Sequence, residues 1–356
     1  GRQAVLGEHL GDLAHPAAFR NFLAAQERLC RLWRAAPLRL AADLHPDYVS
    51  TRWAQRQGLD LCLVQHHHAH IVSAMVEHGL RGPVVGIACD GTGYGTDGGI
   101  WGGEILVCDR ASWRRAAHLS VFPLLGGDAA AHEPWRPALG WLQASLPATW
   151  TGQLPRLERM AGRGPLSLAV KRMQGPGHGV ACSSLGRLFD AAAALLGYCD
   201  RNRYEAEAAM ILQQAAEAAA AQGGVDLGSD AAALPWAVHA PSAPGRPRVL
   251  DTAPILKALL DGGDPGRLAL GFHLAVAGLL AEGARQVAKE QGLKQVLLSG
   301  GCFANGLLLK AVALRLREAG LQPLLHQQVP CGDGGLALGQ AVVACQPQPA
   351  QAGQGV

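Results

Sequence analysis

Four histidines crowd into five residues, His66, His67, His68 and His70, between the apolar run Leu61–Val64 and the apolar positions Ile71, Val72, Met75 and Val76. The first run suits the end of a buried strand and the second suits a helix, so the imidazoles fall where strand turns into helix. On a helical first turn, residues four apart share one face. His66 and His70 can therefore reach one cation, while His67 and His68 point elsewhere. The spacing is also that of the zincin helix H-E-x-x-H, but His67 stands where that helix carries its general base, which argues against a metalloprotease. A histidine pair alone is more often structural than metal-binding. What favours a cation here is the supply of carboxylates elsewhere in the chain.

Val84–Asp90 reads as a buried strand, and Ile100–Val107 as a second one paired to it. Between them lie five glycines in nine residues, Gly91 to Gly99, more than a plain hairpin turn needs. Glycines let backbone N–H groups approach phosphate oxygens, and an aspartate at a strand end, Asp90, can hold a metal or a water. The last third repeats a strand–loop–helix design. Gln295–Leu298 leads through Ser299-Gly300-Gly301-Cys302 into a helix from Phe303, and its free N–H groups suit a nucleotide. Leu324–His326 then leads through Pro330-Cys331-Gly332-Asp333-Gly334-Gly335 into a helix over Leu336–Ala344. Asp333, alone between glycines, can reach across a cleft.

Other stretches have plainer readings. A helix is expected from Pro16 to Arg34, and a strand over Leu38–Ala42 ends in Asp43-Leu44-His45-Pro46-Asp47-Tyr48, where Asp47 is a candidate helix cap. Polar residues at such a strand end point into a crevice or simply make a capped turn. Arg187 and Asp190, three apart on a helix started by serine caps, suit a surface ion pair, and Glu205 and Glu207 suit a first helical turn. Gly223–Pro247 is expected as a loop, and Leu268–Gln291 as a helix carrying His273. The net charge of +3 carries no basic stripe, so nucleic acid is not expected as a partner. Nine cysteines, an odd number without C-x-x-C, read as buried thiols of a reducing compartment. No signal-peptide pattern opens the sequence and no apolar run approaches the ~20 residues of a membrane span, so a cytoplasmic location is expected.

Six ordered motifs between Gly7 and Ala344 together resemble the C-terminal domain of HypF-type carbamoyltransferases of hydrogenase maturation. That branch is related to the Kae/TsaD tRNA threonylcarbamoyl transferases. The motifs are Asp43–Tyr48, Val64–His70, Asp90–Asp97 with Trp101-Gly102-Gly103-Glu104, Ser183–Asp190, Leu298–Gly301 with Asn305, and Gly332–Gly335. The resemblance implies an α/β, two-lobed ASKHA (actin-like ATPase) fold of Kae/TsaD type, with the first strands of lobe I missing. Lobe I would be residues 1–83, with the helix 336–345 packing back on it. Lobe II would be 84–335 with a loop insertion at 223–250, and 346–356 a disordered tail.

By the same resemblance, iron or zinc would bind His66, His70 and Asp333, joined by Asp90, and the catalytic set would be His66, His70 and Asp90. Nucleotide contacts would come from Gly91, Thr92, Gly93, Ser184, Gly186, Asp190, Glu207, Gly300, Gly301 and Asn305. The implied reaction takes carbamoyl phosphate and ATP with Mg, through carbamoyl adenylate, to the C-terminal cysteine of the partner HypE, for the cyanide ligands of a nickel-iron centre. In the family's long form, upstream domains make the adenylate. Ala206 stands where the family pattern has glycine, which would tighten the pocket near Glu205 and Glu207. The alternatives are a non-catalytic metal- and nucleotide-binding scaffold of the maturation complex and a tRNA threonylcarbamoyl transferase.

Overall fold

A computed structural model describes residues 3–175, 179–228 and 232–347. Apolar β-branched runs alternate with amphipathic helices, and they assemble into two sheets. In the smaller, β1 (Arg39–Asp43) pairs in parallel with β2 (Asp60–Val64). The larger has nine strands: β3 (Val84–Tyr94), β4 (Ile100–Cys108), β5 (Trp113–Leu119), β6 (Phe122–Leu124), β7 (Val180–Cys182), β8 (Ala237–His239), β9 (Arg248–Asp251), β10 (Gln295–Ser299) and β11 (Gln322–Leu325). The strand order is β11-β10-β3-β4-β5-β9-β8, with β7 joined to β4 and β6 to β7. β3 is parallel to β10 and antiparallel to β4, so it lies centrally and is buried from Val84 to Asp90.

Two apolar cores flank this sheet. The larger is filled by the helices Trp135–Ser145, Leu185–Leu195, Pro265–Gln291 and Gly306–Glu318, with Trp141, Phe189, Phe272 and Leu279 buried. Each such side chain is worth about 1.5–3 kcal/mol over its exposed state. Pro265–Gln291 is long and apolar enough to cross a membrane, an exception to the reading that no run approaches that length. Eighty-three per cent of its apolar window lies inside the fold, as in a core helix. The smaller core joins the helix His66–Glu77 to β2 and to the helix Leu336–Ala344 through Val64, Ile71, Val72, Met75 and Val343. The two helices approach so closely that a Cβ on Gly339 would collide with the Ala69 carbonyl oxygen.

Some expectations need correction. Within 223–250, read as a loop insertion, β8 and β9 extend the large sheet; hydrogen bonding to the edge of β5 orders a stretch whose own composition favours turns. Residues 229–231 of it lie outside the described residues, as do 348–356 of the expected tail and 176–178 of the loop around Gly175. The helix Val49–Gln55 starts after Tyr48, and Asp47 caps nothing but pairs with Arg52. Arg187 and Asp190 form a buried pair, not a surface one.

Candidate metal centre and nucleotide cleft

The helix His66–Glu77 begins directly at the end of β2. Gln65 is its cap, with its side-chain oxygen accepting the His68 N–H at 2.9 Å. A first turn placed there sets His66 and His70 edge to face, ring centres 4.9 Å apart and both 1% exposed, where β3 leaves the core. Asp90 emerges at that point, and Asp333 arrives from the turn Asp333–Gly335 before the C-terminal helix. One ligand atom from each of His66, His70, Asp90 and Asp333 lies within 4.8 Å of all the others.

Of the four imidazole–carboxylate separations, His66 Nε2 to Asp90 Oδ2 at 3.0 Å is a hydrogen bond, and the other three are longer. His70 Nε2 is 3.5 Å from Asp90 Oδ2 and 3.5 Å from Asp333 Oδ1, and His66 Nε2 is 3.7 Å from Asp333 Oδ1. These are too long for good hydrogen bonds. They match the edge of a tetrahedron with metal–ligand bonds of ~2.0–2.1 Å, about 3.4 Å. His70 Nε2 is buried without a hydrogen-bond partner, a costly state unless something else fills the space. Two imidazoles and two carboxylates suit zinc or iron. They fit the group the resemblance implies.

The electrostatics agree. Burial opposes charge on His66, but Asp43 Oδ2 at 2.8 Å from Nδ1 and Asp90 Oδ2 at 3.0 Å from Nε2 outweigh it and hold the imidazole up to about 10. Without a cation, a proton on Nε2 takes its place. His70 is raised against its burial by Asp333 and Asp90, and Asp90 is driven well below the usual carboxylate range by the two histidines despite burial. His67 is the opposite case: desolvation pushes it well down, so it is a neutral packing ring. Gly93 leaves room for these rings, since a Cβ there would lie 2.9 Å from His66 Cδ2 and closer still to His67.

Asp43 is the residue the sequence reading left ambiguous. Its carboxylate, 3% exposed, orients His66, as outer-shell acceptors orient metal-bound histidines. Tyr48 was likewise unassigned. It stacks on His45 with ring centres 4.3 Å apart, and burial, together with Asp43, Asp333 and Asp90, raises its phenol, so it faces the acidic cluster. The strand-end position of Asp43–Tyr48 was the available signal for both.

The nucleotide candidates divide into two groups. Gly301 N–H donates to Asp90 Oδ1 at 3.3 Å, and Ser184 Oγ donates to Gly91 O at 2.6 Å. Gly186 packs against the Gly91 backbone, where a Cβ would lie 2.7 Å from Gly91 Cα. Gly300 has φ +105° and no room for a Cβ beside the Cys89 carbonyl. With Gly93 and the exposed Thr92, these residues border the metal cluster. The remaining side chains are held among themselves. Asp190 bonds Asn202 at 3.1 Å and pairs with Arg187 at 2.9 Å, and burial raises it to about 6. Glu207 accepts from Arg203 N–H at 2.6 Å and Arg203 Nε at 2.9 Å. Asn305 Oδ1 caps the helix Gly306–Glu318 at Leu308 N–H, and its amide lies 3.0 Å from His273 Nε2. Ala206 adopts φ +60°, the left-handed conformation that glycine takes without strain.

Residues 1–77 match the family described as "HypF Kae1-like domain", and residues 86–340 match "Carbamoyltransferase, Kae1-like Domain, second subdomain". A "Carbamoyltransferase HypF homolog" of Cupriavidus necator is 41% identical over 97% of this chain and 87% of its own length. The "Carbamoyltransferase HypF" of Rhizobium leguminosarum bv. viciae is 38% identical over 97% of this chain, which spans 43% of that protein. A crystal structure of full-length HypF in the phosphate- and nucleotide-bound form superposes with a TM-score of 0.83 at 35% identity. It covers 95% of this chain and 43% of its own. The fold is thus the Kae-like ASKHA fold, and the chain spans 87% of the Cupriavidus homologue but under half of the Rhizobium protein and of the full-length HypF structure.

Proposed function

This chain belongs to the HypF carbamoyltransferase family, and from that premise we propose that it carries the carbamoyl-transfer site of hydrogenase maturation. In this reading His66, His70, Asp90 and Asp333 hold one iron or zinc ion. The ion would supply positive charge to phosphate and carbamoyl oxygens. Asp43 keeps His66 in the tautomer that presents Nε2. The glycines at 91, 186, 300 and 301, with Thr92, offer a narrow backbone-lined wall to the phosphates of ATP and its Mg, while Gly93 gives its room to the rings of His66 and His67. Ser184, Asp190, Glu207 and Asn305 shape the remainder of the nucleotide cleft.

The acceptor is the C-terminal cysteine of HypE: its sulfur would bond the carbamoyl carbon of carbamoyl adenylate as the C–O bond to phosphate breaks, AMP leaves and the thiol proton passes to solvent. None of the chain's nine free cysteines is needed as a nucleophile, and burial raises the thiols of Cys89 and Cys302, which lie near Asp90. The observation that carries this reading is the convergence of four donor atoms within 4.8 Å of one another, one of them, His70 Nε2, buried without a hydrogen bond. The test incubates the chain with carbamoyl phosphate, ATP and HypE, alongside an arm given preformed carbamoyl adenylate, and weighs HypE by mass spectrometry. One added carbamoyl group in the adenylate arm that is lost in His66→Ala supports transfer. Unmodified HypE in both arms, with the metal bound, supports the scaffold alternative.

A further inference from the structure

Asp333 is the exception among the four donors: its side chain is 72% exposed, yet its oxygen stands 3.5 Å from a buried imidazole. It sits at the end of a segment, 326–332, without regular structure. Its position is set on one side by the helix Leu336–Ala344 packed on the histidine helix, and on the other by whatever holds that segment. The side chain that holds the start of that segment is Glu77, the last residue of the helix that carries His66 and His70. Glu77 Oε1 accepts the N–H groups of Gln327 at 2.7 Å and Gln328 at 2.6 Å, and Oε2 lies 3.1 Å from His326 Nδ1. His326 Nε2 lies 2.9 Å from the Oγ of Ser299, which is fully buried at the end of β10. The next residue, Gly300, donates its N–H to Cys331 O at 2.7 Å.

An anion at a helix C-terminus opposes the helix dipole, so helix stability does not explain Glu77. Its acceptors are instead spent on one loop. Burial lowers the His326 imidazole, which suits a neutral ring donating from Nδ1 to Glu77 and accepting from Ser299 at Nε2. The same helix end reaches β11 through His78 Nε2, 2.9 Å from Leu325 O.

We propose that Glu77, His326 and Ser299 form a positioning relay that ties the Asp333 loop to the histidine helix, so that one rigid element sets three of the four donors. This rests on the metal reading above. Releasing the relay lets the exposed Asp333 drift out of the cluster while His66, His70 and Asp90 stay in place. The relay residues are positioning residues and touch no substrate.

The test measures Zn²⁺ affinity by chelator competition at neutral pH for the chain and for Glu77→Ala, Glu77→Gln, Ser299→Ala, Asp333→Asn and the double variant Glu77→Ala with Asp333→Asn. Glu77→Ala, which acts only through Asp333, is expected to weaken Zn²⁺ binding several-fold. Asp333→Asn loses as much or more, and the double variant is no weaker than Asp333→Asn alone, because both changes remove the same ligand. Glu77→Gln, which keeps an acceptor for Gln327 and Gln328, recovers part of the affinity. Should Glu77→Ala fail to fold, Ser299→Ala opens the other end of the relay at small volume change. Losses that add in the double variant, or unchanged affinity in both Glu77→Ala and Ser299→Ala while Asp333→Asn weakens, would overturn the relay. A wild-type chain without affinity for Zn²⁺ would overturn the metal reading, and the relay with it.

Discussion

Asp43→Asn separates the two jobs the Asp43 carboxylate does at the candidate centre. Asp43 Oδ2, 2.8 Å from His66 Nδ1, makes Nε2 a better ligand; by the same interaction it helps hold a proton on that imidazole, whose affinity stands at about 10. At neutral pH His66 holds a proton that an entering cation must displace, so metal binding competes with protonation there. The amide is isosteric but neutral, and it has one acceptor where the carboxylate serves both His66 and the His45 N–H at 2.8 Å. Losing an outer-shell carboxylate costs about 10- to 100-fold in affinity, or ~1.4–2.7 kcal/mol. The same change lowers the His66 proton affinity and removes part of the competition. The two effects oppose each other most strongly at low pH. The variant's disadvantage should therefore be smallest near pH 6 and grow toward pH 9, because its affinity gains less per pH unit than the wild type's. Chelator competition with Zn²⁺ or Co²⁺ across that range, with circular dichroism as a fold control, measures the slope. Parallel affinity curves for the two proteins would refute the reasoning.

Three further outcomes follow from the geometry. Gly93→Ala places a methyl group against His66 and His67, and overpacking of this kind costs about 1–3 kcal/mol; a denaturant midpoint equal to wild type would show that the rings have room to move. Ala206→Gly should be stabilising by up to about 1 kcal/mol, since the left-handed conformation costs alanine ~1–2 kcal/mol and the greater freedom of unfolded glycine returns ~0.4–1 kcal/mol; a lowered melting temperature would count against it. Metal-free protein should lose stability on both sides of neutrality. The raised His66 contributes stability that is full below pH 6.5 and fades as pH climbs toward about 10, and the raised His70 acts in the same direction. His67, well below its usual value, and His273, lowered to about 4, contribute stability above pH 6.5 that is lost on acidification. Bound metal should move the optimum upward, because it replaces the protons on His66 and His70; melting curves of chelated and Zn²⁺-loaded protein at pH 5.5, 7 and 9 would show whether it does.

Local pattern carried a good part of the architecture. The period of the apolar residues around the histidine tract is enough to put a strand before it and a helix within it, and the observed β2 and His66–Glu77 lie there. The central strands were equally visible as unbroken apolar runs, since a strand buried on both faces needs no alternation. Less visible were segments whose order comes from a neighbour. β8, in a Gly- and Pro-rich stretch, becomes a strand because β9 offers it a hydrogen-bonding edge, and the burial of Arg187 with Asp190 depends on helices packed over them. The glycines of 91–99 were read as ligand space, yet at Gly93 and Gly95 the room is taken by the rings of His66, His67 and Trp101.

The sequence by itself determined which residue types could meet a cation and on which kind of element each would ride, because helical and strand periods are local properties of the chain. Only the tertiary structure decided that Asp90, from the middle of the large sheet, and Asp333, 243 residues further on, reach the same two imidazoles, all four donor atoms within 4.8 Å of one another. It alone decided that Asp43 stands behind His66 and that Glu77 holds the Asp333 loop. These are contacts between side chains remote in sequence, and their distances are set by how β3, β10 and the two packed helices come together around a common core.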